Sequence, residues 1–259
     1  MTRHNDSVDS ESRQSQILEF TRARGRVEVV PLADELGVAT ETIRRDLKVL
    51  ASRRLVKRVH GGAVPLESAA FESGVEYRSR VDLAQKHRIA GAAADLLHGA
   101  ETAYIDEGFT PRLVAERLAD RELTVVTSSL LAAEALADSD SVTVLLLGGR
   151  MRGRTLATVD HWALDMLHDL VIDVAYIGTN GITTDDGLTT PDPAVAAVKH
   201  AAIRRSRRSV LLAAHSKFGI TNFCRFAEVA DFETIVTGTE LPSAQAREFE
   251  ALGPKVVRA

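Results

Sequence analysis

From Lys86 onward, short apolar runs alternate with stretches of helical periodicity, and few folds accept that rhythm. The runs are Ala103-Tyr104-Ile105, residues 123–126, 142–147, 174–177 and 210–213, and the pair Ile235-Val236. Helical patterns fall between them at residues 89–97, 112–118, 130–136 and 194–206. Regular alternation of strand and helix predicts a mostly parallel sheet covered on both faces, hence an α/β domain over residues 86–259.

Ahead of that domain the pattern changes. Residues 1–12 read as a disordered tail. A first helix is expected from about residue 12 to 24, with Ile17, Leu18 and Thr21 on one face and Gly25 ending it. A second starts at Pro31, turns Leu32, Ala33 and Leu36 inward and stops at Gly37. The third begins near Thr40. Its apolar stripe of Ile43, Leu47 and Leu50 leaves Glu41, Arg44, Arg45 and Lys48 on the opposite face. Leu55-Val56-Lys57-Arg58-Val59-His60 then reads as a short two-stranded ribbon ending in Gly61-Gly62. Two helices joined by a glycine turn, the second basic on its outer face, make a helix-turn-helix at about residues 27–46, and the ribbon makes a wing. Such a helix fits a major groove, where an arginine fork reaches guanine edges or phosphates. The candidate DNA contacts are Thr40, Thr42, Arg44, Arg45 and Lys48 on the helix, and Lys57, Arg58 and His60 on the wing.

The charge distribution agrees with this. The 259-residue chain carries a net −4, which on its face argues against a nucleic-acid partner. Residues 13–66 nevertheless hold 11 Lys and Arg against 6 Asp and Glu, whereas residues 67–259 hold 20 against 27. A basic reader is fused to an acidic body through a polar linker at 67–85, so only one end suits a polyanion. Apolar residues at 45% exclude wholesale disorder. No apolar run approaches the roughly 18 residues of a membrane span. The lone Cys224 cannot form an internal disulfide, and residues 1–11 lack the pattern of a signal peptide, so the cytoplasm is expected.

Ligands of an open parallel sheet sit beyond the carboxyl ends of its strands, so the loops there matter most. They are Asp106-Glu107-Gly108-Phe109-Thr110, Thr127-Ser128-Ser129, Gly148-Gly149-Arg150, Gly178-Thr179-Asn180-Gly181 and His215-Ser216-Lys217. Small, hydroxylated, glycine-rich loops before helix N-termini aim backbone N–H groups at an anion, and Arg150, Lys199 and Lys217 complete the charge. The candidate effector residues are Asp106, Gly108, Thr110, Thr127, Ser128, Ser129, Gly149, Arg150, Asn180, Gly181, Lys199 and Lys217. His161, Asp165 and His168 share a helical face with metal-ligand spacing but read as polar surface. Cys224, beside Phe223 and Phe226, reads as a small buried apolar residue. No Walker loop, hydrolase elbow or dinucleotide fingerprint is present, so no cofactor is expected.

Thr42-Ile43-Arg44-Arg45-Asp46-Leu47 followed by Arg58-Val59-His60-Gly61-Gly62-Ala63 resembles the signature of DeoR-type bacterial transcription regulators. Asp106-x-Gly108-x-Thr110, Thr127-Ser128-Ser129, Gly148-Gly149-x-x-x-Gly153, Gly187-Leu188-Thr189-Thr190, Val198-Lys199 and Ser216-Lys217-Phe218-Gly219 resemble that family's sensor domain. The resemblance implies a winged helix-turn-helix followed by a Rossmann-like, sugar-phosphate-isomerase-like sensor. It also implies repression of a carbohydrate operon, double-stranded operator DNA and a phosphorylated sugar-like effector as partners, and a homodimer or homotetramer. The chain departs from the family pattern at Phe109, Ser128, Val195 and Ala214 in the sensor, and at Ala39, where an N-capping serine is usual. The departures keep two other functions open, a sugar-phosphate isomerase and a DNA-bound protein whose sensor takes no ligand. Of the three, the ligand-switched repressor is the expected one.

Overall fold

The computed structural model describes residues 3–24, 26–53, 55–65, 79 and 81–259. They belong to two compact units, Met1–Phe71 and Glu72–Ala259. Most of the expected linker, 67–78 and 80, lies outside the described residues, as does Gly25, the expected end of the first helix.

The first unit contains α1 (Arg3–Arg24), β1 (Val27–Glu28), α2 (Val29–Leu36), α3 (Thr40–Ser52), β2 (Val56–Val59) and β3 (Gly62–Pro65). The first helix is longer than expected. It starts at Arg3, so residues 3–12 of the tail expected to be disordered at 1–12 are helical instead: the segment is polar, but it has no glycine or proline to stop a helix from extending through it. Ile17, Leu18 and Thr21 are buried as their spacing predicts, beside Leu32, Ile43, Leu47 and Leu50. Gly37 ends α2 in the left-handed region at φ 64°, a conformation that suits glycine. The ribbon also needs correction. Residues 56–59 form one strand only, Gly61 turns the chain at φ 75°, and the second strand begins at Gly62. All pairing is antiparallel in the order β1-β3-β2. Val27 and Glu28 were not expected to be extended, and two residues are too few to show a pattern.

The second unit opens with α4 (Leu83–Ala94) and continues through β4 (Thr102–Ile105), α5 (Phe109–Leu118), β5 (Leu123–Thr127), α6 (Leu130–Ala135) and β6 (Val142–Leu146). A small hairpin, β7 (Arg150–Arg152) and β8 (Ala157–Val159), precedes α7 (His161–His168) and β9 (Ile172–Gly178). Then come β10 (Gly181–Thr183), β11 (Gly187–Thr190), α8 (Pro193–Arg205), β12 (Ser206–Leu212), β13 (Cys224–Ala227), β14 (Thr234–Thr237), α9 (Ser243–Glu250) and β15 (Lys255–Arg258). Helix α4 begins at Leu83, so the last residues assigned to the linker are part of this unit.

Seven strands form the main sheet in the order β15-β14-β12-β9-β4-β5-β6, every neighbouring pair parallel. Side chains alternate across it with the period of two that a pleated strand imposes. Tyr104, Ala175, Ile177 and Leu211 pack on one face, and Ala103, Ile105, Val174, Tyr176, Val210 and Leu212 on the other, all buried. Runs buried on both faces explain why these strands read as continuous apolar stretches. From β4 the chain builds outward through β5 to β6, then returns to β9 on the other side of β4 and builds away through β12, β14 and β15. Adjacent strands whose connections leave in opposite directions open a crevice at their carboxyl ends. That point lies between β4 and β9.

Candidate functional site

Two surfaces carry the candidate chemistry, one in each unit. In the first, α3 presents Arg44, Arg45 and Lys48 to solvent, while Thr40 and Thr42 are half-buried near its start. Arg44 lies 3.3 Å from Glu41 one turn earlier, a solvent-exposed pair. Lys57 and Arg58 are exposed on β2, and His60 is exposed at the turn of the wing. All eight expected DNA-contact residues therefore lie on α3 or the wing of one unit. No side chain caps α3 at Ala39, so Thr40 does not assume that role; Glu41 supplies an acidic residue in the first turn.

Asp46 sets the placement of α3. It is buried in a helix whose outer face is basic, and it accepts hydrogen bonds from Arg13 Nε at 2.6 Å and Gln14 Nε2 at 2.9 Å. Arg53 donates to Gln14 Oε1 at 3.3 Å. The recognition helix is thus clamped to α1 by polar contacts at both ends of Gln14. Gly62 fixes the wing: a Cβ there would stand 1.9 Å from the Val27 carbonyl oxygen, so β1 and β3 approach this closely only around a glycine.

In the second unit an open cleft lies at the reversal between β4 and β9. Five expected effector residues line it: Gly108, Thr110, Asn180, Lys199 and Lys217. Gly108, at φ 121°, precedes α5, and no side chain caps the first turn of that helix. Lys199 is 1% exposed. Its ammonium bonds Asp106 and the Gly178 carbonyl, the latter at 3.1 Å, with Glu107 Oε1 at 4.0 Å. Asp106 also accepts the Gly178 N–H at 2.9 Å and so lies under the cleft floor rather than on its wall. Burial pushes its carboxyl up to about 6, against the pull of Lys199.

The remaining candidates do not reach the cleft. Thr127 donates to the Ile105 carbonyl at 2.6 Å and accepts from the Ser129 N–H at 3.0 Å. Ser128 pairs with the Tyr104 hydroxyl at 3.1 Å, and Ser129 caps α6 through the Ala132 N–H at 3.2 Å. Their hydroxyls satisfy local backbone and buried groups. Gly149 and Gly181 permit close backbone approach, since a Cβ would stand 2.3 Å from the Val159 oxygen and 2.2 Å from the Ile220 oxygen respectively. Arg150, 60% exposed, pairs with Asp160 at 2.7 Å. Cys224 is half-buried rather than buried, because Phe223 beside it turns to solvent and only Phe226 packs inward.

Glu107, Phe109 and Thr179, named in the expected loops but not among the candidates, also line the cleft, with Pro111, Leu212 and Ala214 as its apolar part; sequence reasoning missed Lys86. Lys86 had a findable signal. It follows the polar linker and stands one turn before Ile89 and Ala90, and a buried lysine at a helix start marks a polar cavity.

Residues 13–69 match the family model of the DeoR-like helix-turn-helix domain, and residues 81–239 match that of the DeoR C terminal sensor domain. The chain belongs to the DeoR family. It is a DNA-binding, helix-turn-helix transcription regulator. The regulator GlpR of Haloferax volcanii is 33% identical over 246 residues, 95% of this chain and 96% of its own. The glycerol-3-phosphate regulon repressor of Escherichia coli is 31% identical over 231 residues, 89% and 91% of the two chains. An HTH-type transcriptional regulator of Bacillus subtilis, FruR, is 33% identical over 229 residues, 88% and 91%. The solved ribose 5-phosphate isomerase A of Methanocaldococcus jannaschii aligns at 14% identity and a TM-score of 0.38 over 51% of this chain and 53% of its own, too remote to bear on function. The sensor departures of this DeoR-family chain fall in different places. Phe109 and Ala214 line the cleft, whereas Val195 is a buried core residue in the first turn of α8. Among the described residues no helix is long and apolar enough to cross a membrane, and no group of three or more His, Cys, Asp and Glu is placed to hold a metal.

Proposed function

We propose that this DeoR-family regulator represses a carbohydrate-metabolism operon in the bacterial cytoplasm and that a small phosphorylated sugar-like effector in the β4–β9 cleft changes its affinity for operator DNA. The observation that carries this reading is the convergence of Lys86, Lys199 and Lys217 with the uncapped first turn of α5 on one crevice at the sheet's reversal point. An anionic group suits that end, and Thr110, Thr179 and Asn180 offer partners for hydroxyls. The name of the Escherichia coli relative, a glycerol-3-phosphate regulon repressor, supports the same class of ligand.

The base and phosphate contacts are assigned to Thr40, Thr42, Arg44, Arg45, Lys48, Lys57, Arg58 and His60. The regulator acts by binding its ligand rather than turning it over: the relatives are named as regulators, and Asp106 is held by Lys199 and the Gly178 amide beneath the cleft. Self-association is part of the reading, since paired reading heads need paired half-sites. Exposed Leu145 and Leu146 on the edge strand β6, with exposed Trp162 and Met166 on α7, support it. Light scattering at micromolar concentration should give a dimer or tetramer, and a monomer would remove that part.

The decisive test is thermal shift and calorimetry of the full chain with glycerol 3-phosphate, fructose 6-phosphate and ribose 5-phosphate beside their unphosphorylated counterparts. At least one phosphate ester should raise the melting temperature and lose its effect in Lys217→Ala. Equal responses to phosphorylated and unphosphorylated compounds would overturn the assignment.

A further inference from the structure

The chain enters the sensor unit on α4, and the residue at that entrance adopts a locally disfavoured conformation. Asp82 stands in the cap position of α4 at φ 54° and ψ 32°, in the left-handed region. Aspartate is also among the best N-caps, yet its side chain makes no capping bond. Its carboxylate instead accepts the Ser216 hydroxyl at 2.7 Å. One turn further on, Gln85 is buried and accepts the His215 N–H at 2.9 Å. His215 and Ser216 belong to the three-residue turn His215–Lys217, whose third residue lines the cleft. A second cleft residue acts on the same spot: Lys86 donates to the carbonyl of Val81, immediately before Asp82, at 2.6 Å. Lys86 directly, and Lys217 through the neighbouring Ser216, are therefore linked to residues 81 and 82, through which the chain arrives from the DNA-binding unit.

We propose that Asp82 is the two-state coupling residue of the regulator. In one state Ser216 holds it in the left-handed conformation. In the other, an anion in the cleft has drawn Lys86 away from the Val81 carbonyl and Lys217 inward with its turn, Ser216 has left, and Asp82 has relaxed to an extended N-cap of α4. The change of φ at one residue redirects the chain before it, which is how a small displacement in the cleft leaves the sensor. A ligand shifts this equilibrium by its different affinity for the two arrangements. The inference rests on the assignment of an anionic effector to the cleft.

Ser216→Ala in the full-length chain tests it without any effector. Loss of the hydroxyl frees Asp82 to cap α4, so amide exchange at Ala84 and Gln85 should slow about fivefold. Ordinary loss of a contact would instead speed it. Affinity for the DNA upstream of its own gene should change by about fivefold or more. Adding Asp82→Ala should abolish the slowed exchange, while exchange at Val210 and Leu211 in the central sheet should match the parent in both variants. Faster exchange at Ala84 and Gln85 in Ser216→Ala, or DNA affinity within twofold of the parent, would overturn the proposal. A parent chain that fails to bind glycerol 3-phosphate, fructose 6-phosphate and inorganic phosphate would count against the effector reading alone, because both readouts on Ser216→Ala are taken without ligand.

Discussion

Asp46 is an acidic residue in the helix to which the proposed DNA contacts are assigned, and its burial resolves the contradiction. Its carboxylate faces inward to Arg13 and Gln14 while Arg44, Arg45 and Lys48 face out. Removing one partner of a buried ion pair is costly, so Asp46→Ala should lose about 3 kcal/mol of stability in urea unfolding of the full chain. DNA affinity should fall with it, because α3 loses its clamp to α1. Ala39 works in the other direction. With no side chain capping α3, Ala39→Ser should add about 1 kcal/mol and raise the melting temperature of the DNA-binding unit. Both effects concern residues whose meaning depends on a partner far along the chain or on a missing oxygen. The missing cap was legible from the family resemblance at Ala39; the clamp was not, because Arg13 and Asp46 lie in different helices.

At the scale of elements, the wing depends on one glycine. Gly62→Ala places a methyl against the Val27 carbonyl, so β1 and β3 must part, and DNA binding should weaken about tenfold or more while the sensor unit melts unchanged. An equal DNA affinity in that variant would show that the wing is dispensable. The strands of the main sheet that were legible are those buried on both faces, β4, β5, β9, β12 and β14, together with β6. The edge strand β15, Lys255-Val256-Val257-Arg258, and the small sheet of β10, β11 and β13 were not, because strands of three or four residues carry neither an apolar run nor an alternation long enough to register. The cleft was half legible for the same kind of reason. Loops after strands announce themselves by glycine and hydroxyl residues, but Thr127 and Ser129 spend their hydroxyls on backbone groups and Ser128 on the Tyr104 hydroxyl, and only the fold reveals which loops flank the reversal between β4 and β9.

At the scale of the whole molecule, the sensor unit joins its opening helix to its carboxyl end. Arg88 of α4 pairs with Glu240 at 2.7 Å and donates to the Ala259 carbonyl at 3.1 Å, and Gln85 reaches the same glutamate. Hydrogen bonding from Arg88 holds the Glu240 carboxyl down at about 2 against the usual 4.5. A depressed carboxyl stabilises the folded state above its unfolded value and loses that contribution as pH falls through the folded one. Stability should therefore drop between about pH 4.5 and 2, and Glu240→Gln should flatten that part of the curve in acid unfolding of the full chain. Exposure of both partners screens the pair, so the change is modest in size.

The charge asymmetry between the two units leads to the most direct measurement. On the proposed assignment of phosphate contacts to Arg45, Lys48, Lys57 and Arg58, binding releases counterions, so affinity for the upstream DNA should fall steeply as salt rises. Fluorescence anisotropy of that DNA, titrated with the full chain across salt concentrations and repeated with each phosphate ester that raises the chain's melting temperature, reads both halves of the account at once. The expected result is a steep salt slope, shallower by about one in Arg45→Ala, and a Kd that shifts about fivefold or more with the ester and not with its unphosphorylated counterpart. A Kd indifferent to salt, or one that the bound ester leaves unchanged, would contradict it.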